Sequence, residues 1–171
     1  MPSVALLGTG LLGESIGQRL LQRGVSLHVW NRTQDRSKAL VEAGAQALNS
    51  PAEATRCCDS LITVLRDGPV TAAVLNDIGP LDGSTLITMG TVGVTESQAL
   101  ADQATQQGGQ YLEAPVLGSK PQALNGSLLV MAGGEAQVFE EQRPLLSHLC
   151  QEPSSWAPLA AALPPSWPSI S

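Results

Sequence analysis

The sequence predicts an α/β fold: a doubly wound, mostly parallel sheet with helices on both faces. Three observations support this. Short apolar runs alternate along the chain with amphipathic stretches of helical period. Each run is apolar enough for burial on both faces, as strands of a parallel sheet are. The first run, Val4-Ala5-Leu6-Leu7, breaks into Gly8-Thr9-Gly10-Leu11-Leu12-Gly13 and continues as a helical pattern to Arg23 and Gly24. Strand, glycine turn and helix therefore follow directly on one another.

The remaining elements follow in order. Leu27-His28-Val29-Trp30 is the second strand, ending at Asn31-Arg32-Thr33. Residues 34–43 set Leu40, Val41 and Ala43 among polar residues, an amphipathic helix closed by Gly44. Ala45-Gln46-Ala47 fits a short third strand. Ser50-Pro51-Ala52-Glu53 has the order of an N-cap, a first-turn proline and an acid at N3, opening a short helix that ends near Cys58. Residues 59–65 form the fourth strand, and Asp67-Gly68-Pro69 opens a helix to about Leu75. Residues 83–89 are the fifth strand, 95–107 a long helix closed by Gly108-Gly109, and 110–114 the sixth strand. Residues 128–132 are a seventh strand and 137–149 the last helix. The expected organisation is a Rossmann-type domain over 1–149 and an irregular Pro-rich tail over 150–171. From Gln151 onward there are five prolines, Trp156, Trp167 and a single charge, Glu152, with no amphipathic period. There is no internal repeat of solenoid type.

The glycine turn has a mechanism. Gly8 permits the tight exit from the strand, Gly10 leaves no side chain between the backbone and a pyrophosphate, and Gly13 lets the helix lie close on the strand. The helix start then offers free N–H groups and the positive end of its dipole to phosphates. Glu14, one residue past the turn, suits that dipole but weakens phosphate binding a little. About 20 residues further on, NAD-binding folds place an Asp or Glu on the ribose 2′-OH. Here that place holds Asn31, followed by Arg32 and Thr33. A carboxylate would repel a 2′-phosphate, whereas guanidinium matches phosphate geometry and Thr adds a hydroxyl donor. The expected cofactor is therefore NADP (NADPH). The competing reading makes Arg32 a solvated surface residue and puts Asp35 on the ribose.

A formal net charge of −6 argues against nucleic acid or an anionic membrane as partner. No run of about 20 apolar residues is present to span a membrane. Met1-Pro2-Ser3 leads straight into the first strand, so no signal peptide is expected. Cys57, Cys58 and Cys150 suit neither a disulfide framework nor a zinc site, so reduced thiols and a cytoplasmic location are expected. His28, His148 and the cysteines form no nucleophile or metal pattern and are assigned packing or surface roles.

The segment Glu113-Ala114-Pro115-Val116-Leu117-Gly118-Ser119-Lys120, with Gly126-Ser127-Leu128 and Met131-Ala132-Gly133-Gly134 downstream, completes a set of motifs. With the glycine turn, Asn31-Arg32-Thr33 and Thr91-Val92, the chain resembles the β-hydroxyacid dehydrogenases from Val4 to about Leu149. That family includes 3-hydroxyisobutyrate dehydrogenase and the glyoxylate/succinic semialdehyde reductases, and shares its N-terminal domain type with 6-phosphogluconate dehydrogenase. Asn-Arg-Thr and Gly-Ser-Lys lean toward the NADP-dependent reductase branch. The resemblance implies that Gly8, Thr9, Gly10, Leu11, Leu12 and Gly13 hold the pyrophosphate. It puts Asn31, Arg32 and Thr33 on the 2′-phosphate, Val64 and Leu65 along the cofactor, and Thr91 near the nicotinamide. Gly118, Ser119 and Lys120 would meet a small carboxylate substrate, Ser119 having a turn or helix-cap role as its alternative and Lys120 a solvated one.

The chain departs from the family in three ways. Gly90 stands where the family usually has Ser, and Leu117 replaces a Ser that would hydrogen-bond substrate or its surroundings. The helical second domain, whose lysine is the family's catalytic acid/base by resemblance, is expected to be missing: the only lysines in the sequence are Lys38 and Lys120, and neither follows the required segment. The tail reads as the product of a truncation or a changed frame, so no catalytic residue is assigned and weak activity is expected. Uncovered apolar surface would favour self-association. Two alternatives stand beside the reductase reading: a non-catalytic dinucleotide-binding or interaction module, and an imine reductase relative.

Overall fold

In a computed structural model, which describes residues 3–90 and 92–156, strands and helices alternate. Strand β1 (Ser3–Leu7) leads into α1 (Leu11–Gln22), β2 (Ser26–Trp30), α2 (Lys38–Glu42), β3 (Gln46–Ala47) and α3 (Ala54–Cys57). Then come β4 (Ser60–Thr63), α4 (Gly68–Ile78), β5 (Thr85–Thr88), α5 (Val94–Gln106) and β6 (Gln110–Glu113). They are followed by β7 (Val116–Leu117), α6 (Lys120–Asn125), β8 (Leu129–Gly133), α7 (Ala136–Leu146) and β9 (Ser154–Trp156). The sheet order is β3-β2-β1-β4-β5-β6-β8-β7, with β9 also paired to β8. Strands β1 to β6 are all parallel. Their order reverses direction between β1 and β4, the switch point of doubly wound sheets. Strand β8 runs antiparallel to both β6 and β7, so β7 points the same way as β1 to β6.

Alternate residues of one strand feed two cores. Val4 and Leu6 pack with Ile16, Leu20, Val29 and Ile62 on one face. Ala5 and Leu7 pack with Leu61, Leu75 and Leu86 on the other. Helix α1 buries the stripe Gly13, Ile16, Gly17 and Leu20, a 3-and-4 spacing that keeps one face inward. Full burial of one Leu or Ile side chain contributes about 1.5–3 kcal/mol. No helix of the described residues is long and apolar enough to cross a membrane.

Several boundaries differ from the sequence expectation. Residues 34–43 split into a 3₁₀ turn, Gln34–Ser37, and the short α2. Within α2 only Leu40 is buried while Val41 is exposed, so no continuous apolar stripe holds more turns. Ser50 gives no side-chain cap. The Glu53 carboxylate instead accepts the Asn49 N–H at 2.8 Å. Elements β7 and α6 were not expected. Ser119 and Gln122 form a capping box at the start of α6, and Gly126 closes the helix with φ +70°. The ordered sheet also continues past the expected boundary at 149. Residues Ser154–Trp156 pair with β8 as β9 through main-chain register, and three residues are too few to leave a period in sequence. The rest of the tail, including Trp167, lies outside the described residues.

The end of α7 is tied to α1. Arg19 Nε donates to the His148 carbonyl at 2.8 Å, and Arg23 Nε reaches His148 Nδ1 at 3.4 Å. Burial, with Arg23 and Arg19 beside it, holds the His148 imidazole below its ordinary value of 6.5. A depressed folded pKa means that the unfolded chain binds the proton better. His148 therefore leaves stability intact above 6.5 and costs stability as pH falls from there through the folded value. Melting temperature should fall more for the native chain than for His148→Gln between about pH 7.5 and about pH 5.5, as differential scanning fluorimetry would show.

Candidate functional site

The loops leaving β1, β2, β4 and β5 gather at one edge of the sheet because parallel strands all end there. Gly8 has φ +107°, and a Cβ placed on it would sit 2.3 Å from the Val64 carbonyl oxygen. Its N–H donates to the Trp30 carbonyl at 2.9 Å, while the Val64 N–H donates to the Leu7 carbonyl at 3.0 Å. The exit of β1 is thus threaded between the ends of β2 and β4. A Cβ on Gly13 would lie 2.1 Å from the Gly8 carbonyl oxygen, so α1 begins in contact with the strand end. Around Gly10 nothing lies within 4 Å of an added Cβ. Gly10 caps α1 without a side chain, which leaves the first-turn N–H groups to an external acceptor. Leu11 is 78 % exposed beside this turn and Leu12 is half-buried.

Asn31 has a bracing role. Its Oδ1 accepts the Thr9 N–H at 3.0 Å, and its Nδ2 donates to the Thr33 carbonyl at 3.0 Å. One neutral side chain therefore joins the glycine turn to the loop after β2. Its acceptor is used within the protein, while Arg32 and Thr33, expected beside it at a 2′-phosphate, are both exposed. Arg36 on the 3₁₀ turn and Lys38 at the start of α2 are exposed nearby. A cleft of about 310 Å³ lined by Asn31, Asp35, Lys38 and Leu48 opens there.

Val64 and Leu65 are half-buried against the glycine turn: the Gly8 position approaches Leu65 Cδ2, and that of Gly13 approaches Val64 Cβ. Thr91 lies outside the described residues. Gly90 has a local explanation, because a Cβ there would meet the Leu65 carbonyl oxygen at 2.6 Å. Leu117 pairs with Leu129 in the β7–β8 register. Gly118, Ser119 and Lys120 are exposed and follow β7 at the same edge of the sheet as the glycine turn. Gln122 Oε1 accepts the Ser119 N–H at 2.9 Å and also its hydroxyl. Ser119 therefore starts a helix, and Lys120 is exposed with no ion-pair partner among the described residues. A second cavity, of about 670 Å³ and lined by Ala101, Tyr111 and Val138, opens beside the start of β6, at the opposite edge.

The residues fit a dinucleotide. Gly10 gives the backbone an open approach, and Thr9 is 2 % exposed, its Oγ1 without a hydrogen-bond partner among the described residues. Fold and site together define an NAD(P)-binding Rossmann domain. The chain belongs to the family of the NAD binding domain of 6-phosphogluconate dehydrogenase, whose sequence model matches residues 3–157. Glyoxylate/succinic semialdehyde reductase 1 of Arabidopsis thaliana is 36% identical over 146 residues, covering 82% of this chain and 50% of that one. An imine reductase from Pseudomonas sp. superposes with TM-score 0.90 at 26% identity, over 97% of this chain and 59% of that one. A Mycobacterium tuberculosis 3-hydroxyisobutyrate dehydrogenase, solved with L-serine, gives 0.87 at 25%, over 95% and 56%. The chain thus spans about half the length of the curated relative it matches.

The structure also brings together His28, Cys57 and Cys58, residues expected only to pack or to lie at the surface. Residue spacing could not reveal this. It follows from β2 and β4 both pairing with β1. Burial, and then the neighbouring Cys57, pushes the Cys58 thiol well above its ordinary range. Burial pushes Cys150 up to about 11.

Removing the Asn31 brace leaves the buried Thr9 N–H without its acceptor. Asn31→Ala should cost roughly 1–3 kcal/mol of stability and weaken NADPH binding, as urea unfolding and calorimetric titration would measure.

Proposed function

We propose that this chain is the NADP(H)-binding domain of a reductase acting on a small hydroxy acid or its aldehyde or keto counterpart. The reading rests on one observation above all: the cationic Arg32–Thr33 turn, braced by Asn31 to the glycine turn. In this reading the N–H groups of residues 8–13 bind the pyrophosphate. Arg32 and Thr33 take the 2′-phosphate, with Arg36 and Lys38 adding positive potential nearby. Val64 and Leu65 shield one side, and Thr91 stands near the nicotinamide by resemblance. When bound, the reduced dinucleotide supplies a hydride. Lys120 binds the substrate carboxylate and Ser119 sets the start of the helix that presents it. The reductase similarity and the relative solved with L-serine, itself a hydroxy acid, support that substrate class.

The imine reductase alternative shares this domain and differs in substrate. The acid/base lysine that the resemblance assigns to a helical domain has no counterpart at Lys38 or Lys120. A positioned proton donor is worth roughly 10²–10⁴-fold in rate, so the 171-residue chain alone should bind NADPH and reduce glyoxylate or succinic semialdehyde slowly. Robust turnover by this chain would overturn the low-activity reading.

Hydrogen bonds to charged groups contribute about 1.5–3 kcal/mol, so NADPH should bind about 10–100-fold tighter than NADH. Arg32→Ala should remove most of that preference while leaving the NADH dissociation constant unchanged. Equal or tighter binding of NADH in calorimetry would favour the Asp35 reading.

A further inference from the structure

We propose that His28, Cys57 and Cys58 form a binding site for a thiophilic d¹⁰ divalent cation such as Zn²⁺, separate from the dinucleotide crevice. Cys57 Sγ lies 3.6 Å from His28 Nδ1 and 3.6 Å from Cys58 Sγ. All three ligand atoms fall within 4.8 Å of one another. A tetrahedral zinc with Zn–S about 2.3 Å and Zn–N about 2.0–2.1 Å sets its sulfurs about 3.8 Å apart and sulfur and nitrogen about 3.5 Å apart. The two separations from Cys57 Sγ meet that spacing to within a few tenths of an ångström, and the His28–Cys58 pair lies within 4.8 Å. The sulfurs are free thiols rather than a disulfide.

The backbone holds the two cysteines in place. Helix α3 stops between them: Cys57 is its last residue, and Cys58 is extended at φ −135° and ψ 142°. This break sends both sulfurs to one place. The Cys58 N–H donates to the Ala54 carbonyl at 3.0 Å, and the Ser84 hydroxyl donates to the Cys58 carbonyl at 3.2 Å. Thr85 N–H fixes the Asp59 carbonyl at 2.9 Å. His28 lies on β2 level with Ala5 and Leu61. Strand alternation puts it on the face of the second core, where Cys58 is buried.

Cys57 is exposed while Cys58 and His28 are buried. The exposed thiol gives the ion an entry path and leaves a fourth position to water, the pattern of a three-ligand zinc site. The existing contacts of Cys57 are weak, to the Glu53 and Ala54 carbonyls at 3.5 and 3.8 Å, and a metal bond outweighs them. Cys57 and Cys58 lie just before Asp59 and the start of β4, at the end of that strand opposite the loops of the crevice. A bound ion would link β2 to the α3–β4 turn without entering the dinucleotide site.

The test uses the full chain, reduced and freed of metal, with Cd²⁺ as probe. Titration should raise a thiolate-to-cadmium ultraviolet band that saturates at one ion per chain. The melting temperature should rise, since an ion that binds only the folded state stabilises it. Cys57→Ser, at an exposed position, and His28→Gln should each lose the saturating band and the thermal shift, with folding checked by circular dichroism. Cys57→Ser should keep its NADPH affinity. Absence of a band in the native chain would overturn the proposal. So would a band unchanged in Cys57→Ser, which would report Cys150, or one unchanged in His28→Gln, which would reduce the site to a bare dithiol.

Discussion

The contact between the Gly13 α-carbon and the Gly8 carbonyl orders the rest of this molecule. A single Cβ at residue 13 would come within 2.1 Å of that oxygen, so α1 starts in contact with the end of β1. Its axis is then committed. The helix start faces the crevice between the β1 and β4 loops, and Ile16 and Leu20 are carried onto the sheet. More distant elements follow. Arg19 on α1 lies against Gly126, which closes α6, and bonds the His148 carbonyl beyond α7. One close approach near the N-terminus thus fixes where two later helices can sit.

The fold was legible because its strands are buried on both faces and its helices on one, two periods that sequence records directly. The glycine turn was legible because Gly8 and Gly13 answer steric demands that another residue fails, while Gly10 keeps the turn open. Other features left little trace. Strand β9 has three residues, paired through the main chain, and no side-chain pattern encodes such pairing. Helix α6 did carry a signal, Ser119 with Gln122 three residues on, Pro121 between them and Gly126 after, but with six residues it buries only Ala123 and shows no period. The grouping of His28 with Cys57 and Cys58 arises from strand order, which links residues 29 positions apart.

Strand β2 shows how one element serves both ends of the sheet. Leu27 and Val29 face the larger core, so His28 faces the other. The chain then leaves the strand at Trp30, whose carbonyl holds the Gly8 N–H at 2.9 Å. Within four residues the strand contributes to a core, a sulfur–imidazole cluster and the glycine turn. Alternation of side chains and the spare carbonyl at the strand end make this possible.

Asn31 follows directly, and its chemistry explains why an acid would serve poorly there. The position must accept the Thr9 N–H and donate to the Thr33 carbonyl. A carboxamide does both at once without charge. A carboxylate could accept from Thr9 but would face the Thr33 carbonyl oxygen with no proton to offer, setting two acceptors against each other. It would also add a negative charge beside Arg32. The carboxylate that binds a ribose hydroxyl in NAD-binding folds is thus incompatible with this brace. The amide thus anchors the loop after β2 to the glycine turn and adds no negative charge beside Arg32.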